Sequence, residues 1–276
     1  MGKLKNLGLE LNQIYNECCL EGMNRIPDKS VDMILCDLPY AMTGLKWDVI
    51  IPFDDLWQQY DRIIKDCGVI VLTGSQPFTT LLGASNLKKL KYGLIWEKNN
   101  GTNFLQVKKM PFKTHEDILI FYDTKSVVAK KSNLTEEEIA KLGVTYNPQM
   151  VDGKPVIRKK GVTHDSQMSL GFDFKILKNS KSENEGKHYP TSVIKIGREV
   201  GLHPTQKPVE LFEWLIKTYS NEGELIMDNC MGSGTTAIAA LNTNRNFIGF
   251  EKDEKYFKVA IKRIKQHRLK GVILPE

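Results

Sequence analysis

The sequence predicts an α/β protein with a mostly parallel sheet covered by helices on both faces. Three observations point there. Apolar strands alternate with amphipathic helices from Val31 to about Tyr122, and the same alternation resumes from Lys207. Between them, from Asp123 to about Val200, sustained periodicity is lost and Gly, Pro, Asn and Ser punctuate the chain. That places an inserted segment (123–200) between two halves of one α/β domain, 1–122 and 201–276.

Taken in order, VDMILC (Val31–Cys36) is apolar at nearly every position, as a strand buried on both faces requires. FDDLWQQYDRIIKD (Phe53–Asp66) spaces its apolar residues at helical intervals. GVIVLTG is a second strand, QPFTTLLGASNL a short helix, and KYGLIWEK and EDILIFYD two more strands. TEEEIAKLG reads as a short helix within the insertion. In the last part KPVELFEWLIKTYS is an amphipathic helix with Pro208 in its first turn. ELIMD is a strand, GTTAIAALNTN a helix, NFIGFE a strand, and DEKYFKVAIKRIKQHRL a final helix that Asp253 can cap.

Composition excludes several classes. With 26% charged and 41% hydrophobic residues in 276, the chain can bury a large core, and disorder over most of its length is not expected. No apolar run reaches membrane-spanning length, and MGKLKNLGLELNQ lacks the apolar core of a secretory signal, so a cytoplasmic protein is expected. The five cysteines form no CxxC pair and have no histidines at zinc-ligand spacing; reduced, mostly buried thiols are expected, and no metal site. Of the net +6, +4 lies in 123–200 (14 Lys and Arg against 10 Asp and Glu), densest in KPVIRKK. Such a run is a solvated face or a polyanion contact.

Two stretches carry chemistry. DLPY, Asp37–Tyr40, puts a carboxylate, a proline and an aromatic ring directly after a buried strand. DNCMGSGTTAIAA, from Asp228, follows a strand and opens a helix; Gly232, Gly234 and Ala237 satisfy G-x-G-x-x-A, and Glu251 ends the next strand. Backbone amides at such a turn face a ligand, and the carboxylate suits ribose hydroxyls, so a nucleoside site is indicated. A phosphate-binding P-loop is excluded because GSGTT has no lysine. A dinucleotide site, and with it an oxidoreductase, stays open on this motif.

DLPY, HPTQKP (His203–Pro208) and the glycine run with Glu251, in that order, resemble the β class of S-adenosylmethionine-dependent DNA amino-methyltransferases over nearly the whole chain. The resemblance implies a Rossmann-like methyltransferase fold with an inserted target-recognition segment. It implies S-adenosylmethionine as cofactor and double-stranded DNA as partner; a homodimer is compatible with it. It assigns Asp37, Leu38, Pro39 and Tyr40 to catalysis on a flipped base. Asp228, Gly232, Ser233, Gly234, Thr235 and Glu251 would surround the cofactor, with Thr205, Gln206 and Lys207 at its methionine carboxylate. Lys108, Lys109 and Lys113, and Arg158, Lys159 and Lys160, would contact DNA. An aspartate opening the motif favours adenine N6, while cytosine-N4 enzymes more often open it with serine, and cytosine remains the alternative. A DNA-binding module with a degenerate cofactor pocket is the other, because Cys18 stands where relatives often carry an adenine-binding aspartate and Asn229-Cys230 replaces the commoner Pro-Phe.

Overall fold

A computed structural model describes residues 8–45, 48–123, 143–159, 181–199, 201 and 206–270. The chain divides into a large unit, Met1–Asn147 with Ser192–Glu276, and a small one, Pro148–Thr191. The large unit therefore resumes at Ser192, earlier than the boundary expected near residue 200. The short helix expected at 135–143 falls almost wholly outside the described residues.

The first strands of the large unit are β1 (Gln13–Tyr15), β2 (Val31–Asp37), β3 (Ile64–Gly74), β4 (Leu90–Glu97) and β5 (His115–Phe121). The small unit carries β6 (Val151–Asp152), β7 (Val156–Lys159), β8 (Lys181–Asn184) and β9 (Lys187–His188), with β6 paired to β9 and β7 to β8, both antiparallel. The large unit then adds β10 (Val193–Lys195), β11 (Leu225–Asp228) and β12 (Asn246–Phe250). Its helices are α1 (Cys19–Asn24), α2 (Phe53–Ile63), α3 (Phe78–Ser85), α4 (Val209–Tyr219), α5 (Thr235–Asn242) and α6 (Glu254–Lys270).

Eight strands form one sheet in the order β1-β12-β11-β2-β3-β5-β4-β10. The five from β1 to β3 are mutually parallel, β5 runs against both its neighbours, and β4 is again parallel to β10. Alternate side chains of β2 supply two cores. Met33 and Leu35 pack with Leu211 and Leu215 of α4, Ile238 of α5 and Ala260 of α6, whereas Ile34 and Cys36 pack with Met23 of α1, Leu56 and Tyr60 of α2 and Leu82 of α3. Both faces are dry, which is why VDMILC shows no polar alternation. Each Leu, Ile or Met among them contributes about 1.5–3 kcal/mol by leaving water.

The topology locates a site. From β2 the chain moves outward through α2 to β3, and from β11 it moves the other way through α5 to β12, so adjacent strands β11 and β2 diverge at their carboxyl ends. A crevice opens at such a switch point. Asp37 ends β2 and Asp228 ends β11.

Two details depart from expectation. The helix from Phe53 stops at Ile63, not Asp66, because the carbonyls of Arg62 and Ile63 accept the backbone N–H groups of Lys29 and Ser30 and Ile64 already pairs with Val31. β1 and β10, three residues each, were not legible. Among the described residues no helix is long and apolar enough to cross a membrane.

Gly22 shows how closely α1 sits on the sheet. Alanine would favour the helix by roughly 1 kcal/mol, but its Cβ would stand 2.3 Å from the ring of Phe250, which is fully buried. Overpacking of this kind costs about 1–3 kcal/mol. Gly22→Ala should therefore lower the thermal unfolding temperature despite its better helix propensity; a higher one would mean that Phe250 yields.

Candidate active site

Asp37 is held from two sides. Its Oδ1 accepts the Tyr40 hydroxyl at 2.5 Å and the Thr73 hydroxyl from the paired end of β3. Its Oδ2 meets the Lys207 ammonium at 2.6 Å, across 170 residues of sequence. Lys207 also lies 3.2 Å from Glu116 Oε2, and Glu116 Oε1 accepts the Lys98 ammonium. β4 and β5 make this last contact, since Trp96 is opposite Glu116 and Lys98 follows two residues on.

Positive and negative charges thus alternate along Lys98, Glu116, Lys207 and Asp37. The Lys207 side chain is only 3% exposed and those of Glu116 and Asp37 15% and 20%, so these charges depend on each other rather than on water. Burial works to discharge the Lys207 ammonium, but Asp37 and Glu116 more than offset it and raise the pKa. Burial likewise opposes ionisation of Glu116, and Lys207 and Lys98 hold it below the usual range. For Lys98 burial wins and its pKa is lowered. The Tyr40 phenol is pushed well up by burial and by the carboxylates of Asp37 and Glu116. Its ring stacks on Phe78, with centroids 4.9 Å apart and planes 25° from parallel.

The other wall is the β11–α5 turn. Gly232 and Gly234 take φ of 53° and 83°, which a side chain disfavours, and a Cβ on Gly234 would also press within 3.2 Å of Ala260. Glu251 accepts the Gly232 amide at 2.7 Å and the Asp253 amide at 2.8 Å, and burial raises its pKa. Asp228 accepts the Cys230 amide at 2.9 Å and the Thr236 hydroxyl; burial pushes its pKa up to about 6. The Thr235 hydroxyl donates to the Lys207 carbonyl at 3.3 Å.

One cleft of about 580 Å³ joins the two walls, lined by Asp37 to Tyr40 at one end and by Asp228, Gly232, Ser233, Thr235 and Glu251 at the other. Gln206 and Lys207 also line it, and Gln206 donates to Glu199 at 3.1 Å. Thr205 and Lys160 lie outside the described residues, as do the side chains of Arg158 and Lys159. Lys108 and Lys109 are exposed, and the Lys113 ammonium donates to the buried Ser75 hydroxyl. The Lys207 ammonium is engaged by two protein carboxylates, a different environment from the cofactor carboxylate expected for it.

Sequence reasoning missed Thr73, Lys98, Glu116 and Asp48. Asp48 accepts the amides of Ala41, Met42 and Thr43 at 2.7–2.8 Å and so shapes the loop after Tyr40; these bonds outweigh its burial and lower its pKa. The Asn229-Cys230 departure is accommodated: Asn229 Oδ1 accepts the Tyr60 hydroxyl at 2.5 Å, and the free Cys230 thiol is in hydrogen-bonding contact with the free thiols of Cys19 and Cys36. Burial pushes Cys36 up to about 12, which keeps it an unreactive thiol.

The family model for DNA methylases of the N6/N4 type matches residues 31–262. The chain belongs to that family. It is 27% identical over 270 residues to the Type II methyltransferase M1.MboII of Moraxella bovis, covering 91% of this chain and 96% of that protein. Among solved structures, an M1.HpyAVI–SAM complex superposes with a TM-score of 0.56 at 22% identity, over 91% of this chain and 98% of the other. The cytosine-N4-specific PvuII DNA methyltransferase does so with 0.58 at 12% identity, over 94% and 91%. The Rossmann-like methyltransferase fold is thereby established, and the family's cofactor is S-adenosylmethionine. The residues present suit it. Asp228 is a buried carboxylate and Glu251 a half-buried one at the two strand ends of the cleft, and the glycine turn leaves the wall between them without side chains at two of three positions.

Replacing Lys207 by Met would strand Asp37 and leave Glu116 with Lys98 alone. Breaking a buried pair from one side costs about 3–5 kcal/mol, and the partial exposure of Asp37 argues for the lower end. Glu116, whose pKa is depressed, contributes above the ordinary range and loses that contribution as pH falls through its folded value. The deficit of Lys207→Met should thus be full at pH 7 and shrink below about pH 4. Urea unfolding at both pH values checks this; equal stability at pH 7 would contradict it.

Proposed function

We propose that this DNA methyltransferase places its methyl group on the N6 amine of an adenine rotated out of duplex DNA. The observation that carries the reading is that Asp37 and Tyr40 share one cleft with the glycine turn and Glu251. The aspartate opening the motif supports adenine over cytosine. The fold cannot choose between them, since the cytosine-N4-specific PvuII enzyme superposes on this chain as well as the others do.

S-adenosylmethionine supplies an electrophilic methyl group. The adenine amine is a poor nucleophile because its lone pair is delocalised into the ring, and it must be pyramidalised to attack. Asp37 Oδ2 and the Leu38 carbonyl would accept its two N–H groups, hold the amine pyramidal and stabilise the positive charge that develops on nitrogen as the sulfur–methyl bond breaks, and one of these protons would then leave through Asp37 to water. Oδ1 is already taken by two hydroxyls, whereas Oδ2 has lone-pair capacity beyond Lys207. Lys207, with Glu116 and Lys98 behind it, orients that carboxylate. Pro39 stiffens the turn. Tyr40, backed by Phe78, offers the base a stacking surface worth roughly 1–3 kcal/mol, against the few kcal/mol that flipping costs.

On the cofactor side Glu251 holds the ribose, Asp228, Gly232, Ser233, Thr235 and Gln206 line the remainder, and Gly234 shapes the turn; Thr205 keeps the role the resemblance gives it. Lys207 moves from this group to the catalytic one. Lys108, Lys109, Arg158, Lys159 and Lys160 are proposed phosphate contacts, with sequence reading assigned to the insertion. A role in a restriction–modification pair accords with the likeness to a Type II methyltransferase.

Two outcomes are expected. Asp37→Ala should abolish methyl transfer with cofactor affinity retained, and Asp37→Asn, a weaker and uncharged acceptor that still bonds Lys207 poorly, should fall well below wild type; full activity in either would remove Asp37 from catalysis. Glu251→Ala should weaken S-adenosylmethionine binding by about 1–3 kcal/mol, the value of charge-assisted hydrogen bonds left unmade. Unchanged affinity by calorimetry would place the ribose elsewhere.

A further inference from the structure

We propose that the loop joining β4 to β5, Asn99–Thr114, is a wedge that enters the base stack of duplex DNA beside the flipped nucleotide. The inference rests on the methyltransferase reading and deepens it. Phe104 is 73% and Leu105 95% exposed, and Val107, Met110 and Phe112 are exposed beside them. Five large apolar side chains bunched on one loop form a patch of the kind that marks an interaction surface.

The loop is built to hold that shape. The Asn103 amide spans it, donating to the Pro111 carbonyl at 3.0 Å and accepting the Lys113 amide at 2.7 Å, and the Thr102 amide donates to the Lys113 carbonyl at 3.1 Å. Phe112 lies against Gly101 so closely that a Cβ there would stand 1.6 Å from its ring, and Phe104 packs on Phe112 with centroids 6.5 Å apart. Residues Phe104–Gln106 form a 3₁₀ turn at the tip. Ordering is thus prepaid in the free protein.

Its position points at the substrate. β4 is parallel to β2 and β3, so the loop leaves the sheet at the edge that carries Asp37. Its base is tied by Lys113 to Ser75, two residues beyond Thr73, which bonds Asp37. From Asn99 to Thr114 there is no Asp or Glu, and besides the tethering Lys113 the loop carries the exposed Lys108 and Lys109. Apolar tips flanked by cations match a stack of bases flanked by phosphates, whereas a second copy meeting this face across a two-fold axis would set lysines against lysines. Apolar side chains of this type can part base steps, and a flipped base leaves a gap that such groups fill.

The test is the double variant Phe104→Ala/Leu105→Ala, whose exposed sites leave the fold intact. Wild type and variant are given labelled S-adenosylmethionine with mixed-sequence duplex DNA or the same DNA heat-denatured. Thermal unfolding, light-scattering mass and permanganate reactivity of unpaired thymines on bound duplex are read alongside. The expected result is a loss of roughly tenfold or more in duplex methylation, a smaller loss on single strands, loss of the permanganate signal, and unchanged unfolding temperature and mass. Wild-type duplex methylation and permanganate signal in the variant would overturn the proposal, as would a loss that tracks a fall in mass, which would make the loop a contact between copies. If wild type transfers no methyl to any DNA, the methyltransferase reading fails separately. The wedge is then judged on the permanganate signal and duplex affinity, and equality of the two proteins overturns it.

Discussion

The contact between Lys207 and Asp37 ties together parts of the chain that are remote in sequence. At its tip Lys207 meets the carboxylate that ends β2, and by its carbonyl it accepts the hydroxyl of Thr235 at the start of α5. It also stands directly before α4, whose first turn is fixed by Glu199: that carboxylate accepts the Val209 amide at 2.9 Å and lies 3.5 Å from Arg263 of α6. One residue therefore couples the strand bearing the proposed catalytic carboxylate, the glycine turn and the helices that cover the sheet. A buried ion pair is weak evidence for stability in itself, because desolvation offsets most of the attraction. Its worth here is geometric, for it sets where Asp37 points.

The rest of the site follows from sheet topology. Divergence of β2 and β11 makes the crevice, and the carboxyl ends of the strands supply its groups: Asp37 and Asp228 from the strands that part, Thr73 from β3 and Glu251 just beyond β12. Carboxylates in such a place need partners. Asp37 and Glu116 find lysines, while Asp228 and Glu251 find backbone amides and a hydroxyl, and burial keeps their pKa values raised. Two kinds of carboxylate thus occupy one cleft, charge-paired at the proposed base end and amide-bound at the proposed cofactor end.

Much of this was legible from local sequence, for physical reasons. A strand dry on both faces must be apolar throughout, and a backbone at positive φ selects glycine, so β2 and the β11–α5 turn announce themselves. β1 and β10 do not, because three residues at the sheet margins carry no period. The reversed direction of β5 is invisible as well, since apolar runs have no polarity. Glu116 was legible only as the first residue of a strand; it is a largely buried anion held between Lys98 and Lys207, the latter 91 residues away. Asp48 carried no signal, as the amides that it gathers are exposed as a need only once the loop is folded. The aspartate and tyrosine of the motif were readable as a constellation, whereas the resemblance set Lys207 beside the cofactor, and nothing in local sequence tells that its long side chain ends between Asp37 and Glu116.

The most direct measurement is nucleoside analysis after incubation with methyl-labelled S-adenosylmethionine and mixed-sequence duplex DNA. The account predicts label in N6-methyladenine, carried by wild type and lost in Asp37→Ala. Label in N4-methylcytosine, or equal label in the two proteins, would contradict it.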